Sequence, residues 1–371
     1  MSRRVVIAGG GTGGHLFPGV AVAEELGRLG EDIEVSFVGT EKGIESRVIP
    51  RLGYQLDLMD VQGLKGGGIG KLKGALKLPA AGLEAMALVR KLKPSLVVSV
   101  GGYAAGPFTM CAAVMGVPTV LLEQNSVPGV TNRALGKVVK RAFLTYEESK
   151  GFFPGSNVEV VGNPLRRDLL DRANSFTYKA PKPGEKLKIM VLGGSGGSLA
   201  LNQQIPGALC DLGELAANLQ VTHQVGKQNG DLAREVYFGG EEGSPNFAGD
   251  VEVVEFIEDM ASAYEDTHLM ICRAGATTIA EVLAFGLPAI YIPFPGAADD
   301  HQTSNALALT EQGAGVMVPQ SDLESNRLQR LLEGLIQNPE SLANMAIRAR
   351  ALGRPEAGEQ IARECLALMK K

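Results

Sequence analysis

Two short apolar runs, each ending in a glycine-rich turn, do most to restrict what this chain can fold into. Val5-Val6-Ile7-Ala8 leads into Gly9-Gly10-Gly11-Thr12-Gly13-Gly14-His15, and Lys188-Ile189-Met190-Val191-Leu192 leads into Gly193-Gly194-Ser195-Gly196-Gly197, 183 residues further on. A buried strand turned by glycines into a helix is how a doubly wound α/β domain begins. Two such openings in 371 residues predict two such domains in tandem, which suits a length of about 150 residues per domain. Glycine is abundant, 48 residues, but follows no three-residue repeat, so a collagen-like chain is excluded.

The remaining pattern agrees. Val35–Val38, Leu96–Val100, Thr119–Leu122 and Val158–Val161 read as buried strands after the first opening. Gln220–Gln224, Val251–Phe256, Leu269–Cys272, Ala289–Ile292 and Val316–Val318 follow the second. Helical stretches separate them, such as Pro18–Gly30 with proline near its start and glycine at its end. Prolines and charges between Gly162 and Lys186 mark the boundary. We therefore expect one domain over 1–163 and a second over 164–340, with the C-terminal stretch 341–371 completing the first.

Several classes are excluded. Cys111, Cys210, Cys272 and Cys365 are widely spaced without a CxxC pair, and His15, His223, His268 and His301 show no ligand spacing, so neither a disulfide framework nor a metal site is expected. Residues 96–122 carry one charge-free stretch, but six glycines and prolines would break a spanning helix there. No signal peptide is recognisable. The net charge of −5 divides into +4 over residues 1–165 and −9 over the rest, so the first half is the better candidate for an anionic surface. Within it, residues 61–93 carry +6. No nucleic-acid partner is expected.

Four strings carry chemistry. The first glycine turn satisfies GxGxxG, with Glu41 near the end of the second strand as a conceivable ribose acid. A dinucleotide, another phosphate ligand and simple strand–helix packing all remain open for it. The second turn, with Ser195 and Ser198, is a better anion nest, because backbone N–H groups and a hydroxyl can grip a diphosphate without metal. Arg273-Ala274-Gly275-Ala276-Thr277-Thr278-Ile279-Ala280-Glu281 opens a helix after a strand. Glu281 there is either a ribose-diol acceptor or a solvated side chain. Asp299-Asp300-His301-Gln302 suits sugar hydroxyls, or merely caps a helix.

Taken together, GGTGGH with Phe17-Pro18, Glu123-Gln124-Asn125, Gly162-Asn163-Pro164-Leu165-Arg166, Gly193-Gly194-Ser195, Phe256-Ile257-Glu258-Asp259-Met260, the RAGATTIAE string and DDHQ resemble one family from about residue 3 to the C-terminus. It is the MurG family, the UDP-N-acetylglucosamine:lipid I N-acetylglucosaminyltransferases of bacterial peptidoglycan synthesis. The resemblance implies the glycosyltransferase B fold, two Rossmann-like parallel-sheet domains facing across a cleft, and an inverting hexosyltransferase without cofactor. It implies that Thr12, Gly13, Gly14, Asn125, Arg166, Ser195, Ile257, Ala276, Thr277, Thr278, Ile279, Ala280, Glu281 and Gln302 bind UDP-N-acetylglucosamine. Ile257 would meet uracil, Glu281 the ribose, and Gln302 with Asp300 the sugar. The first glycine turn would face the acceptor diphosphate. Four positions depart from the family pattern: Leu122, Gly196, Ala274 and Ala280 stand where His, Gln, Ser and Ser are common.

The reaction implied is a single displacement at the anomeric carbon by the muramyl 4-hydroxyl. His15 is the candidate base, since an imidazole pKa of about 6.5 suits proton transfer near neutrality, against the plainer role of capping its helix. Arg166 and the helix behind Gly197 would hold the leaving charge in place of a metal. A polyprenyl acceptor implies a peripheral protein on the cytoplasmic face of the inner membrane, in contact with other cell-wall proteins and tied to cell shape and division. Ile69, Leu72, Leu76 and Leu78, interleaved with Lys71, Lys73 and Lys77, would place residues 65–93 on anionic lipid, or form an ordinary amphipathic helix. A UDP-sugar 2-epimerase on the same fold, an NAD-dependent dehydrogenase and a non-catalytic UDP-sugar sensor compete with this reading.

Overall fold

The structure, a computed structural model, describes residues 3–61, 69–102, 104–155, 157–194, 196–227, 230–239 and 246–369, and over 69–79 it describes the backbone alone. The chain divides into two units, the described residues of Met1–Arg167 with Arg354–Lys371, and Asp168–Gly353.

In the first unit the strands are β1 (Arg3–Gly9), β2 (Ile33–Gly39), β3 (Gln55–Leu58), β4 (Leu96–Gly101), β5 (Thr119–Glu123), β6 (Arg141–Leu144) and β7 (Val158–Val160). They alternate with α1 (Gly13–Leu29), α2 (Glu45–Arg51), α3 (Ile69–Leu92), α4 (Ala105–Val114) and α5 (Val130–Leu135). All pairings are parallel, in the order β3-β2-β1-β4-β5-β6-β7. Successive side chains of a strand face opposite sides. Accordingly Val5 and Ile7 pack with Leu16, Val20 and Leu26 of α1, while Val6 and Ala8 pack with Ala85 and Val89 of α3 and Phe108 of α4. Helices cover both faces, which is why the runs Val5–Ala8 of β1 and Leu96–Val98 of β4 can be apolar.

The second unit begins with α6 (Arg167–Ser175) and then sets β8 (Leu187–Leu192), β9 (Leu219–Gln224), β10 (Asp250–Val254), β11 (Leu269–Cys272), β12 (Ala289–Tyr291) and β13 (Val316–Met317) in the order β10-β9-β8-β11-β12-β13. Its further helices are α7 (Leu199–Cys210), α8 (Gly230–Phe238), α9 (Met260–Glu265), α10 (Ala276–Phe285), α11 (His301–Thr310), α12 (Arg327–Gln337) and α13 (Pro339–Leu352). In both sheets the winding reverses beside the opening strand, between β1 and β4 and between β8 and β11. Ligand crevices in such sheets open at that switch point, beyond the carboxyl ends of the strands. Both glycine turns lie there.

The final helix, α14 (Ala357–Met369), returns to the first unit, where Ile361, Ala362 and Cys365 are fully buried with Val5, Leu16 and Val98. Of the C-terminal stretch assigned to the first domain, only Arg354 onward lies there. Residues 341–353 stay in the second unit, because the Leu342 and Met345 side chains of α13 pack into its core with Leu328 and Leu332. Helix α1 starts at Gly13 rather than Pro18: only one intrahelical bond is forfeited at Pro18, and its ring is buried. Strands β3 and β6 escape the apolar-run criterion. Gln55-Leu56-Asp57-Leu58 is a half-polar edge strand, and Arg141-Ala142-Phe143-Leu144 opens on a charge and leaves an apolar run of three.

Candidate active site

In the first unit, Thr12 is the N-cap of α1, and its Oγ1 is hydrogen-bonded to Nδ1 of His15 at 3.1 Å. Gly13 and Gly14 form the first turn of that helix. The half-buried His15 ring lies against Gly101 at the end of β4. A Cβ at Gly101 would stand 2.8 Å from His15 Cδ2 and 3.2 Å from Nε2, so only glycine leaves room for the imidazole. Arg166 sits over the ring of Phe17, its guanidinium carbon 5.1 Å from the centroid. Glycine turn, His15, Phe17 and Arg166 therefore form one neighbourhood.

Beside it is a group that the motifs contain but did not single out. Glu123, the last residue of β5, is 2% exposed. One of its oxygens accepts the Asn125 N–H at 2.9 Å and the other accepts Asn132 Nδ2 at 2.7 Å. Burial pushes its carboxyl up to about 7, against the opposing pull of those hydrogen bonds. Asn125 is thus oriented by Glu123. Leu122, where the family often has histidine, is buried in the core.

The second unit holds an open cavity of about 690 Å³ lined by the second glycine turn, Ser198, Gln203, Arg273, Gly275, Thr278, Phe294, Gln302 and Gln320. Arg273, the first residue after β11, is its organiser. Its Nη1 donates to the carbonyls of Ile292 and Pro293 at 3.1 Å, and its Nη2 donates to Ser198 Oγ and to Gln320 Oε1 at 2.7 Å. Burial lowers its pKa to about 10. No carboxylate pairs with it among the described residues. A guanidinium left without counter-charge beside a glycine nest is a place for an anion.

The other candidates are placed as follows. Ser195 lies outside the described residues. Ile257 is half-buried just beyond β10, next to Phe256, which is 63% exposed. Ala276 and Ile279 turn their side chains into the core, so only their backbone is available to a ligand, whereas Thr277, Thr278 and Ala280 are half-buried. Glu281 receives a hydrogen bond from the hydroxyl of Tyr264 at 2.7 Å, which fixes its carboxylate. Gln302 Oε1 accepts the Phe294 N–H at 3.0 Å. Asp299 and Asp300 are both left-handed, at φ 52° and 50°, a conformation that costs non-glycine residues about 1–3 kcal/mol each. The second glycine turn, Arg273, Thr278 and Gln302 share the cavity; Asp300 borders the adjoining depression with Gln320.

The family model of the glycosyltransferase family 28 N-terminal domain matches residues 5–144, and that of the C-terminal domain matches residues 188–361. The UDP-N-acetylglucosamine–N-acetylmuramyl-(pentapeptide) pyrophosphoryl-undecaprenol N-acetylglucosamine transferase of Myxococcus xanthus is 46% identical over 99% of this chain and 93% of its own length. Its namesake in Syntrophus aciditrophicus is 43% identical over the full length of both. This chain belongs to the MurG family of glycosyltransferases. The crystal structure of Acinetobacter baumannii MurG matches with a TM-score of 0.78 at 32% identity, over 98% of this chain and 99% of that one. The twin parallel sheets are thus those of the MurG family's glycosyltransferase B fold. A UDP-N-acetylglucosamine 2-epimerase from Neisseria meningitidis, bound to UDP-N-acetylglucosamine, shares the fold at a TM-score of 0.66 but only 13% identity, over 99% of this chain and all of that one.

Proposed function

We propose that this chain transfers N-acetylglucosamine from UDP-N-acetylglucosamine to the 4-hydroxyl of N-acetylmuramic acid in a pyrophosphoryl-undecaprenol-linked acceptor, with inversion at the anomeric carbon. The observation that carries this reading is full-length identity above 40% to transferases of that name. The cavity beside the second glycine turn supplies the matching chemistry. Its backbone N–H groups and Arg273 suit the diphosphate, and Gln302 with Asp300 suits the sugar hydroxyls. Glu281, oriented by Tyr264, suits the ribose, while Ile257 and the exposed Phe256 beside it offer apolar surface for uracil.

Attack requires a proton to leave the 4-hydroxyl while charge develops on the departing diphosphate. His15 is the base in this reading, its ring oriented by Thr12 and seated against Gly101. Arg166 provides positive charge and Asn125 a positioned amide. An acid near the end of β2 would be needed for a dinucleotide, yet Glu41 is exposed and the buried acid there, Glu45, is turned onto the glycine turn itself. That geometry disfavours the dehydrogenase. The test is direct: labelled UDP-N-acetylglucosamine with a lipid I analogue yields lipid-linked disaccharide, and its absence with active acceptor overturns the assignment.

The lipid acceptor brings the chain to a bilayer, although no described helix is long and apolar enough to cross one. Leu83 of α3 and Val114 of α4 are 68% and 78% exposed, on two helices that pack together, with exposed Arg90, Lys91 and Lys93 near the end of α3. Side chains of 69–79, which include all of the interleaved lysines and their apolar neighbours Ile69, Leu72, Leu76 and Leu78, lie outside the described residues. We assign this face to the cytoplasmic surface of the inner membrane, where it would meet the cell-wall synthesis proteins serving cell shape and division. Replacing Leu83 and Val114 by aspartate should abolish flotation with anionic liposomes, and unchanged flotation counts against the surface.

A further inference from the structure

Glu45 is 1% exposed, yet it belongs to none of the motifs. It stands at the start of α2, and its carboxylate reaches back across the ends of β1 and β2. Oε2 accepts the Gly11 N–H at 2.7 Å, and Oε1 accepts both the N–H and the hydroxyl of Thr40 at 2.9 Å. The space it fills exists only because three surrounding residues lack a side chain. A Cβ at Gly10 would lie 2.6 Å from its Cδ, and one at Gly39 or Gly43 would overlap it still more. Gly10 and Gly11, at φ 143° and 88°, take a path that other residues rarely adopt, and the Gly11 N–H is tied to this side chain rather than to a helix or strand. The Gly10 N–H is held separately by the Gly101 carbonyl at 3.2 Å, so the buried carboxylate is the strut of the next step of the turn, at Gly11.

We infer that Glu45 is the positioning residue of the first glycine turn, holding Gly11 so that Thr12 and His15 meet the acceptor hydroxyl. It touches neither substrate; it acts through the turn. It also claims the Gly11 N–H, which is therefore not offered to a diphosphate of either substrate. This inference rests on the transferase reading given above.

Glutamine is the informative replacement. Whichever of its two ends faces Gly11 or Thr40, an NH2 group opposes a backbone N–H. Glu45→Gln should lower kcat/KM for the acceptor by about 10- to 100-fold, as small displacements of reacting groups do, with the KM for UDP-N-acetylglucosamine unchanged. Gly39→Ala, which presses on Glu45 from β2 without touching the turn, should give the same split. Thr40→Val keeps the bond to Gly11 and should stay within about threefold of the parent, well short of that loss. Equal losses for donor and acceptor, or a Thr40→Val defect as large as that of Glu45→Gln, would reduce Glu45 to a packing residue. A measurement on the unaltered protein needs no variant to fold: residue-resolved amide exchange should protect Gly11 at least about tenfold over an open loop. Exchange at the open-loop rate overturns the strut. Were the parent chain to transfer no sugar, the transferase reading would fall while the Gly11 result could still be read.

Discussion

His15 and Asn132 both lie against Gly101, and Asn132 donates to Glu123. An imidazole and a carboxyl that burial raises to about 7 therefore share one neighbourhood, and they call for different experiments. If His15 takes the proton, His15→Ala lowers kcat by about 10²–10⁴ with little change in UDP affinity; steady-state kinetics with both substrates checks this, and an unchanged kcat removes it from the role. Glu123 is tested through stability. Its carboxyl is raised from 4.5 to about 7, so the fold is fully stable against this group below the lower value and loses stability as pH rises through the upper one. The loss approaches about 3 kcal/mol at about 1.4 kcal/mol per unit. Glu123→Gln should flatten the melting temperature between pH 4.5 and about 7, because an amide has no proton to lose.

At the scale of elements, the loops after β8, β11, β12 and β13 are tied together by Arg273 through Ser198, Ile292, Pro293 and Gln320. Lysine carries the same charge but lacks the planar fork needed to hold those acceptors at once. Arg273→Lys should raise the KM for UDP-N-acetylglucosamine by about 10- to 100-fold, the loss expected for charge-assisted hydrogen bonds, while acceptor KM stays near that of the parent. Initial-rate measurements at varied donor concentration decide it. This organiser was visible in the RAGATTIAE string yet carried no assigned role, because sequence spacing does not reveal that its guanidinium turns back beneath the helix start. Glu45 was less visible still. Its partners Gly11 and Thr40 are separated from it by 34 and 5 residues, and the glycines that admit it look like ordinary turn residues. The strand-plus-glycine openings, by contrast, were legible because burial and turn geometry both act on adjacent residues.

Across the whole molecule, Glu123 of the first unit and His223 of the second bias stability in opposite directions with pH. His223 is fully buried on β9, with Nδ1 hydrogen-bonded to the hydroxyl of Tyr237 at 3.1 Å, and burial lowers its pKa from 6.5 to about 4. The unfolded chain therefore binds the proton more readily between those values, and the second unit loses stability as pH falls through them, again by about 3 kcal/mol. Amide protection of peptides from 188–352, referred to the intrinsic exchange rate at each pH, should fall on acidification from pH 7 to about 4.5, and His223→Phe should blunt the change. The twin architecture was readable from repeated pattern, but the point at which the chain leaves the second unit was not, because Leu342 and Met345 of α13 pack into that core. Ala357–Met369 is amphipathic whichever sheet it covers, and it is held on the first by packing beside α1 and by Glu359 and Glu364, which pair with Arg28 and Arg141.

That last helix has a consequence for synthesis. A ribosome releases residues 1–167 long before Ile361, Ala362 and Cys365 exist to close over Leu16 and Val98. The first half must wait, with a strip of its interior open to water, while the whole second half is made and folds. An excised N-terminal half should consequently be sticky and short-lived, and the order of manufacture, more than any single contact, makes the last turn of this polypeptide the latch of its beginning.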